Sequence, residues 1–182
     1  MIHVNVKQLF MSNVGFVILL QGEKDPRSLP IFIGAAEAQA IAIQINKVKM
    51  PRPLTHDLLK NLLDFMECRL MRVDIADLTE GTFYAVLRLD HDGKEMKMDC
   101  RPSDAIALAL RYSAPIYVAK VVMDEAGQIF KDTDLPAGGS KEISPLDSMK
   151  RDMIKAVEEE RYEDAAKLRD KIAHIKTTHT DN

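Results

Sequence analysis

Gly34-Ala35-Ala36-Glu37-Ala38-Gln39-Ala40-Ile41-Ala42 aligns without a gap on Arg101-Pro102-Ser103-Asp104-Ala105-Ile106-Ala107-Leu108-Ala109. Both stretches are rich in alanine, and both carry an acid three places in, Glu37 or Asp104. What precedes them also matches. Ahead of the first, Ile2, Val4 and Val6 alternate with His3, Asn5 and Lys7, the period of a half-buried strand. Ser12-Asn13 signals a turn, Val14 to Leu20 reads as a buried strand, Gly22 to Ser28 as a polar loop, and Leu29 to Ile33 as a third strand. Gly34 breaks it, and a helix is expected over 35–46. Ahead of the second, Met71 to Leu78 alternates, Glu80-Gly81 turns, and Thr82 to Leu89 is a strand. Asp90-His91-Asp92-Gly93 is a hairpin turn, Lys94 to Cys100 a further strand, and a helix runs from Pro102 to Tyr112.

Three strands and a helix therefore occur twice, which predicts an internal duplication. The expected fold class is α+β, with mixed or antiparallel sheet covered by helix on one face. Between the halves lies Pro51-Arg52-Pro53-Leu54-Thr55-His56-Asp57. Its prolines hold the chain extended, and Thr55 is expected to N-cap a helix through Met66. Leu58, Leu59, Leu62, Leu63 and Met66 are expected to form its buried stripe. A closing strand is expected from Pro115 to Ala119.

Composition sets the outer bounds. The chain has 182 residues, enough for one domain with a core and an appendage. Its formal net charge is −3, whereas a protein that grips nucleic acid through phosphates usually shows a basic surface. Any nucleic-acid contact is then local, metal-assisted or weak. Cys68 and Cys100 form no CxxC and read as reduced thiols. Neither a signal-peptide pattern nor a stretch long enough to span a bilayer is present, so a cytoplasmic protein with no membrane contact is expected.

A domain over 1–135 is expected, then a linker over 136–144 that contains Pro136-Ala137-Gly138-Gly139-Ser140. Leu146, Met149, Met153 and Ala156, then Ala165, Leu168, Ile172 and Ile175, repeat one apolar spacing, which predicts an α-helical hairpin over 145–176. So small a hairpin is marginal alone and is expected to dimerise, dock or bind a partner. Residues 177–182 read as a flexible tail.

Two clusters carry the candidate chemistry. In the first, Arg52 can hold a phosphate as a planar fork, His56 can act as acid or base, and Asp57 can orient it or bind a metal. The same residues also suit a stiff loop and the start of a helix, where Asp57 complements the dipole. In the second, Arg101 can join Arg52 on a phosphate, and Asp99 and Asp104 can offer oxygens to a divalent cation. Here too the residues suit capping, and Arg101 can simply pair with Asp57 or Asp104. Glu37 is the third acid, and the duplication brings a carboxylate cluster within reach if it lies near Asp104. No Walker loop, GxGxxG, HExxH or GxSxG occurs.

Leu29-Pro30-Ile31-Phe32-Ile33-Gly34, with Glu37-Ala38 and Ala40-Ile41-Ala42, resembles the opening signature of the bifunctional nuclease family. Pro51 to Leu59 resembles its central motif. Thr82-Phe83-Tyr84-Ala85, Asp99 to Leu110 and Ala114-Pro115-Ile116-Tyr117-Val118 resemble its closing signature. Together they cover about residues 1–130. Tyr162-Glu163-Asp164-Ala165-Ala166 and Leu168-Arg169-Asp170 resemble the UVR motif.

The resemblance implies a homo-oligomeric nuclease of DNA and RNA. It also implies a protein-interaction hairpin over 145–176. On that reading His56, Asp57, Arg101 and Asp104 are catalytic, and Arg52 and Arg101 bind substrate. Glu37, Asp99 and Asp104 hold magnesium or manganese. The competing expectation is a non-catalytic ligand-binding or assembly module, recruited to a repair or proteolysis complex through the hairpin.

Overall fold

The computed structural model describes residues 1–12 and 15–130. The chain divides into two units, Met1–Pro136 and Ala137–Asn182, and the described residues all fall in the first. The linker, hairpin and tail expected over 136–182 lie outside the described residues, as does Asn13 of the first turn.

Three strands open the domain: β1 (Ile2–Ser12), β2 (Gly15–Gly22) and β3 (Ser28–Ile33). Helices α1 (Ala35–Ile45) and α2 (Thr55–Phe65) follow. Three more strands come next, β4 (Arg69–Thr79), β5 (Thr82–His91) and β6 (Lys94–Cys100). Helix α3 (Pro102–Tyr112), the short strand β7 (Ile116–Val118) and helix α4 (Lys120–Ala126) complete it. The class is α+β: a seven-stranded mixed sheet with four helices among the described residues.

The sheet order is β3-β2-β1-β7-β4-β5-β6. Consecutive strands within each three-strand group are antiparallel, as tight hairpins require. At Glu80-Gly81 and at Asp92-Gly93 both residues have positive φ, the two-residue turn whose twist matches that of the strands it joins. β7 sits between the groups, antiparallel to β1 and parallel to β4.

Helix α3 is the centre of the core. Ala105, Ile106, Ala107, Leu108 and Ala109 are all buried, so the helix is enclosed nearly all round. Its neighbours are α1, α2 and the strands β4 and β5. Alanine makes this possible, since a methyl group keeps a neighbouring backbone close and loses no side-chain entropy. Pro102 starts the helix at its first position, where a missing N–H costs nothing, and Ser113 ends it in a left-handed conformation.

The structure departs from the sequence reading at four places. β1 continues to Ser12, beyond the alternating run, because a bulge between Val6 and Gln8 shifts the register and hides the period. Thr55 is not the N-cap: Leu54 holds that position, and its N–H donates to the Asp57 carboxylate at 2.9 Å. α4 was not anticipated, since a seven-residue helix containing Val121-Val122 has little periodic signal. In α2, only Leu63 of the expected stripe is buried, while Leu58, Leu62 and Met66 are at least half exposed. Among the described residues no helix is long and apolar enough to cross a membrane.

Ile106 is fully buried in α3, so Ile106→Ala removes packing the close-set backbone cannot refill. Urea denaturation is expected to show a loss of about 2–5 kcal/mol with unchanged m.

Candidate active site at three helix starts

The first turns of α1, α2 and α3 meet at one cleft of about 790 Å³. Each start is fixed locally. Gly34 precedes α1, and a Cβ there would strike the Glu37 carboxylate. Pro53 precedes the Leu54 cap of α2, and Pro102 holds Arg101 extended at the cap of α3. The ends contribute Glu37, His56, Arg101 and Asp104, all lining the cleft. Elsewhere its walls are mostly apolar, with Ile43, Met50, Leu59, Met98 and Leu108 among them.

These four side chains form a continuous chain of contacts. Arg101 Nη1 lies 2.9 Å from Glu37 Oε1. Arg101 Nε donates to Asp104 Oδ2 at 2.8 Å, and Nη2 donates to Oδ1 at 3.1 Å. Asp104 Oδ1 is also 3.2 Å from His56 Nε2. Burial raises the pKa of Asp104, but hydrogen bonds from Arg101 and His56 outweigh it and leave the group below its ordinary value of 3.8. An ionised Asp104 only accepts, so His56 Nε2 carries the proton of their bond, and Nδ1 is the ring nitrogen outside it. Arg101 is the open member, with 66% of its side chain exposed against 28% for Asp104 and 14% for His56. An anion entering the cleft meets the guanidinium first. Both carboxylates also sit in first turns, where the helix dipole favours negative charge.

The remaining candidates lie elsewhere. Asp57 turns away from the cleft and takes Arg111 Nε at 2.6 Å. Burial works to raise its pKa, while the Leu54 N–H and the Arg111 guanidinium hold it below the ordinary carboxylate value. Arg52 lines a neighbouring pocket of about 300 Å³ with Asp57 and Asn61, and does not line the cleft with Arg101. Asp99 lies between Met98 and Cys100, both of which line the cleft, so strand alternation sends it to the opposite face of β6. Asp99 thus does not join Glu37 and Asp104 in the cleft. Among the described residues no group of three or more His, Cys, Asp and Glu side chains is arranged to hold a metal ion.

Arg111 was missed by sequence reasoning. Its side chain is only 2% exposed, and besides Asp57 it reaches the carbonyl oxygens of Ala40 and Ala107. It fastens α3 to α1 and α2 at once. A lone arginine late in a helix gives no signal of this, because its partners are far away in sequence. Cys100 also lines the cleft, but burial, with Asp104 and Asp99 behind it, pushes its thiol up to about 11. It stays protonated near neutral pH and is no ready nucleophile.

An α+β domain with an arginine-bridged pair of acids and an acid-held imidazole is the class this fold and cleft define. Residues 17–131 match the family model of the Bifunctional nuclease domain, and residues 144–178 match that of the UvrB/uvrC motif. The chain belongs to the bifunctional nuclease domain family and carries a UVR motif after that domain. An uncharacterized protein of Mycobacterium tuberculosis is 47% identical over 116 residues, covering 64% of this chain and 69% of that protein. Bifunctional nuclease 2 of Arabidopsis thaliana is 28% identical over 165 residues, 79% of this chain and 50% of that protein. Bifunctional nuclease 1 of Oryza sativa subsp. indica is 25% identical over 180 residues, 86% of this chain and 53% of that protein. The chain thus spans about half the length of the plant relatives it matches.

Arg111→Met is expected to cost about 1.5–3 kcal/mol in urea unfolding, the range for hydrogen bonds to a charged partner, because Asp57 keeps partial access to water. Asp57 and Asp104 both titrate below 3.8 in the folded chain. Each therefore adds stability that is fully present above that value and is lost as pH falls through the lower folded-state value. The urea midpoint is expected to hold from about pH 7 to about pH 5 and to drop below about pH 4. Asp57→Asn is expected to remove part of that drop.

Proposed function

We propose that the domain is a nuclease that hydrolyses phosphodiester bonds of DNA, RNA or both at the Glu37–Arg101–Asp104–His56 cleft. The observation that carries this reading is the Asp104 carboxylate, which holds the Arg101 fork and the His56 ring at the same point. Family membership and the similarity to plant bifunctional nucleases support the substrate class. Arg101 binds the non-bridging phosphate oxygens, and Glu37 keeps the guanidinium from swinging into solvent. Water attacks phosphorus and the ester P–O bond breaks; His56 enters the step as the imidazolium, gives its Nδ1 proton to the leaving oxygen and takes a proton back from solvent. The proton released by the attacking water passes to solvent. Asp104 keeps Nε2 as the donor towards itself and offsets charge on the imidazolium.

Magnesium or manganese fits this cleft poorly. The cation of Arg101 already occupies the space between Glu37 and Asp104, and Asp99 lies on the other face of its strand. No step is assigned to a metal. We also read the two strand-strand-strand-helix units as copies of one unit, in which Glu37 and Asp104 are equivalent positions. The segment over 145–176, within the UVR motif, is assigned to binding a protein partner, which would bring the nuclease to its place of work.

A second reading is favoured by the largely apolar cleft walls and the net charge of −3. On it the domain is a non-catalytic ligand-binding or assembly module, recruited to a repair or proteolysis complex through the UVR segment.

Cleavage of labelled single- and double-stranded DNA and RNA separates the two. The native chain is expected to cleave at least one substrate with chelator present, and Arg101→Ala is expected to lower the rate at least about 10²-fold while remaining folded. A single arginine fork predicts a shallow salt dependence, a log–log slope near −1. Absence of cleavage, or equal cleavage by native and variant protein, would move the assignment to the binding module. Loss with chelator and recovery with manganese would return a metal to the cleft.

A further inference from the structure

Helix α2 carries an apolar face that its own domain does not cover. Leu58, Leu62, Phe65 and Met66 recur at helical spacing and are 64%, 50%, 86% and 56% exposed. The opposite side of the same helix is seated by Leu63, which is buried against the core, and by the Tyr112 hydroxyl, which donates to the Lys60 carbonyl at 3.0 Å. The helix is therefore fixed with this face outward. Phe65 alone leaves on the order of 150 Å² of ring in water. With its three companions the face reaches several hundred Å², the largest open patch that a monomer commonly tolerates.

Charge around the helix indicates what covers it. The segment entering α2 is basic, with Lys47, Lys49 and Arg52 and no acid between them. At its far end stand Asp64, which pairs with Lys60 one turn back, and Glu67, with no basic residue in the last turn. Acids at a helix C-terminus oppose the dipole and are unfavourable in an isolated chain. Among the described residues neither Arg52 nor Glu67 takes part in an ion pair. We propose that a second copy of this chain packs on α2, antiparallel to it across a twofold axis. That arrangement closes the apolar face on itself. It sets the basic entrance of each helix against the acidic exit of the other and opposes the two dipoles.

Sedimentation of the full chain tests this. The native protein is expected at twice the chain mass of 20.5 kDa, and Phe65→Glu at the single-chain mass with unchanged far-UV circular dichroism. Should that variant lose its fold, Leu58→Ser, a milder change at a 64% exposed position, serves in its place and is expected to give the same shift. Arg52→Glu is expected to raise the dissociation constant at least about tenfold, and adding Glu67→Arg to restore it. A native single chain, or a dimer that survives the stripe variants folded, overturns the proposal. A dimer indifferent to Arg52→Glu overturns the antiparallel arrangement.

Discussion

Close approach around α3 is the constraint from which the rest of the domain follows. Ala105, Ala107 and Ala109 leave nothing longer than a methyl group on three of its positions, so sheet and helices come near it from several sides. Where α1, α2 and α3 pack this closely, their starts fall around one cleft. Arg111 adds a directional element to that packing. Its guanidinium, buried at the end of α3, reaches the Ala40 carbonyl on α1 and the Asp57 carboxylate on α2. A fork with five donors can satisfy several acceptors at fixed angles, which a lysine could not do. The geometry at the helix starts is thus set by steric closeness along α3 and by one polar fastening at its far end.

The two arginines of this region show how burial divides labour within one residue type. Arg111 is sealed, with Nε, Nη1 and Nη2 each bonded within the fold, so its charge is used in holding helices together. Arg101 touches two acids on one side and water on the other, so it has donors left to offer. Asp104 makes a comparable division between its oxygens. Oδ2 serves Arg101 alone, while Oδ1 serves both Arg101 and His56, tying the ring to the guanidinium. Moving either partner moves the other, which gives the cleft a stiffness that none of the three side chains would have separately.

Much of this arrangement is legible in the amino-acid sequence, for identifiable reasons. The repeated alanine-rich stretches set Glu37 opposite Asp104, and both acids do contact Arg101. Hairpins with Gly81 and Gly93 announce themselves because few residues accept a positive φ. Asp99 misleads because adjacency in a motif is not adjacency in space. On a strand, neighbours point to opposite faces, and Asp99 stands next to the cleft residues in sequence while facing away from them. Arg52 and Asp57 mislead similarly, since the prolines that stiffen their loop do not indicate which way it leaves. The stripe on α2 reads as core in the sequence because spacing reports that a face is apolar, not what it is buried against.

Strand β7 has a consequence for how the chain acquires its structure. Only three residues long, it joins the two three-strand groups, pairing with β1 on one side and β4 on the other. Each group is made of hairpins that close locally and quickly, but β7 is encoded after both of them. During synthesis the inner edges of β1 and β4 stay open until the chain has been made through Val118. The pairing of β7 with β1 is the longest-range one in the sheet, joining Ile2 to Val118, and pairings of that kind slow folding relative to hairpins and helices. While that closure is pending, the facing edges of β1 and β4 are open to pairing with a wrong strand, in addition to the outer edges of β3 and β6 that the finished sheet retains.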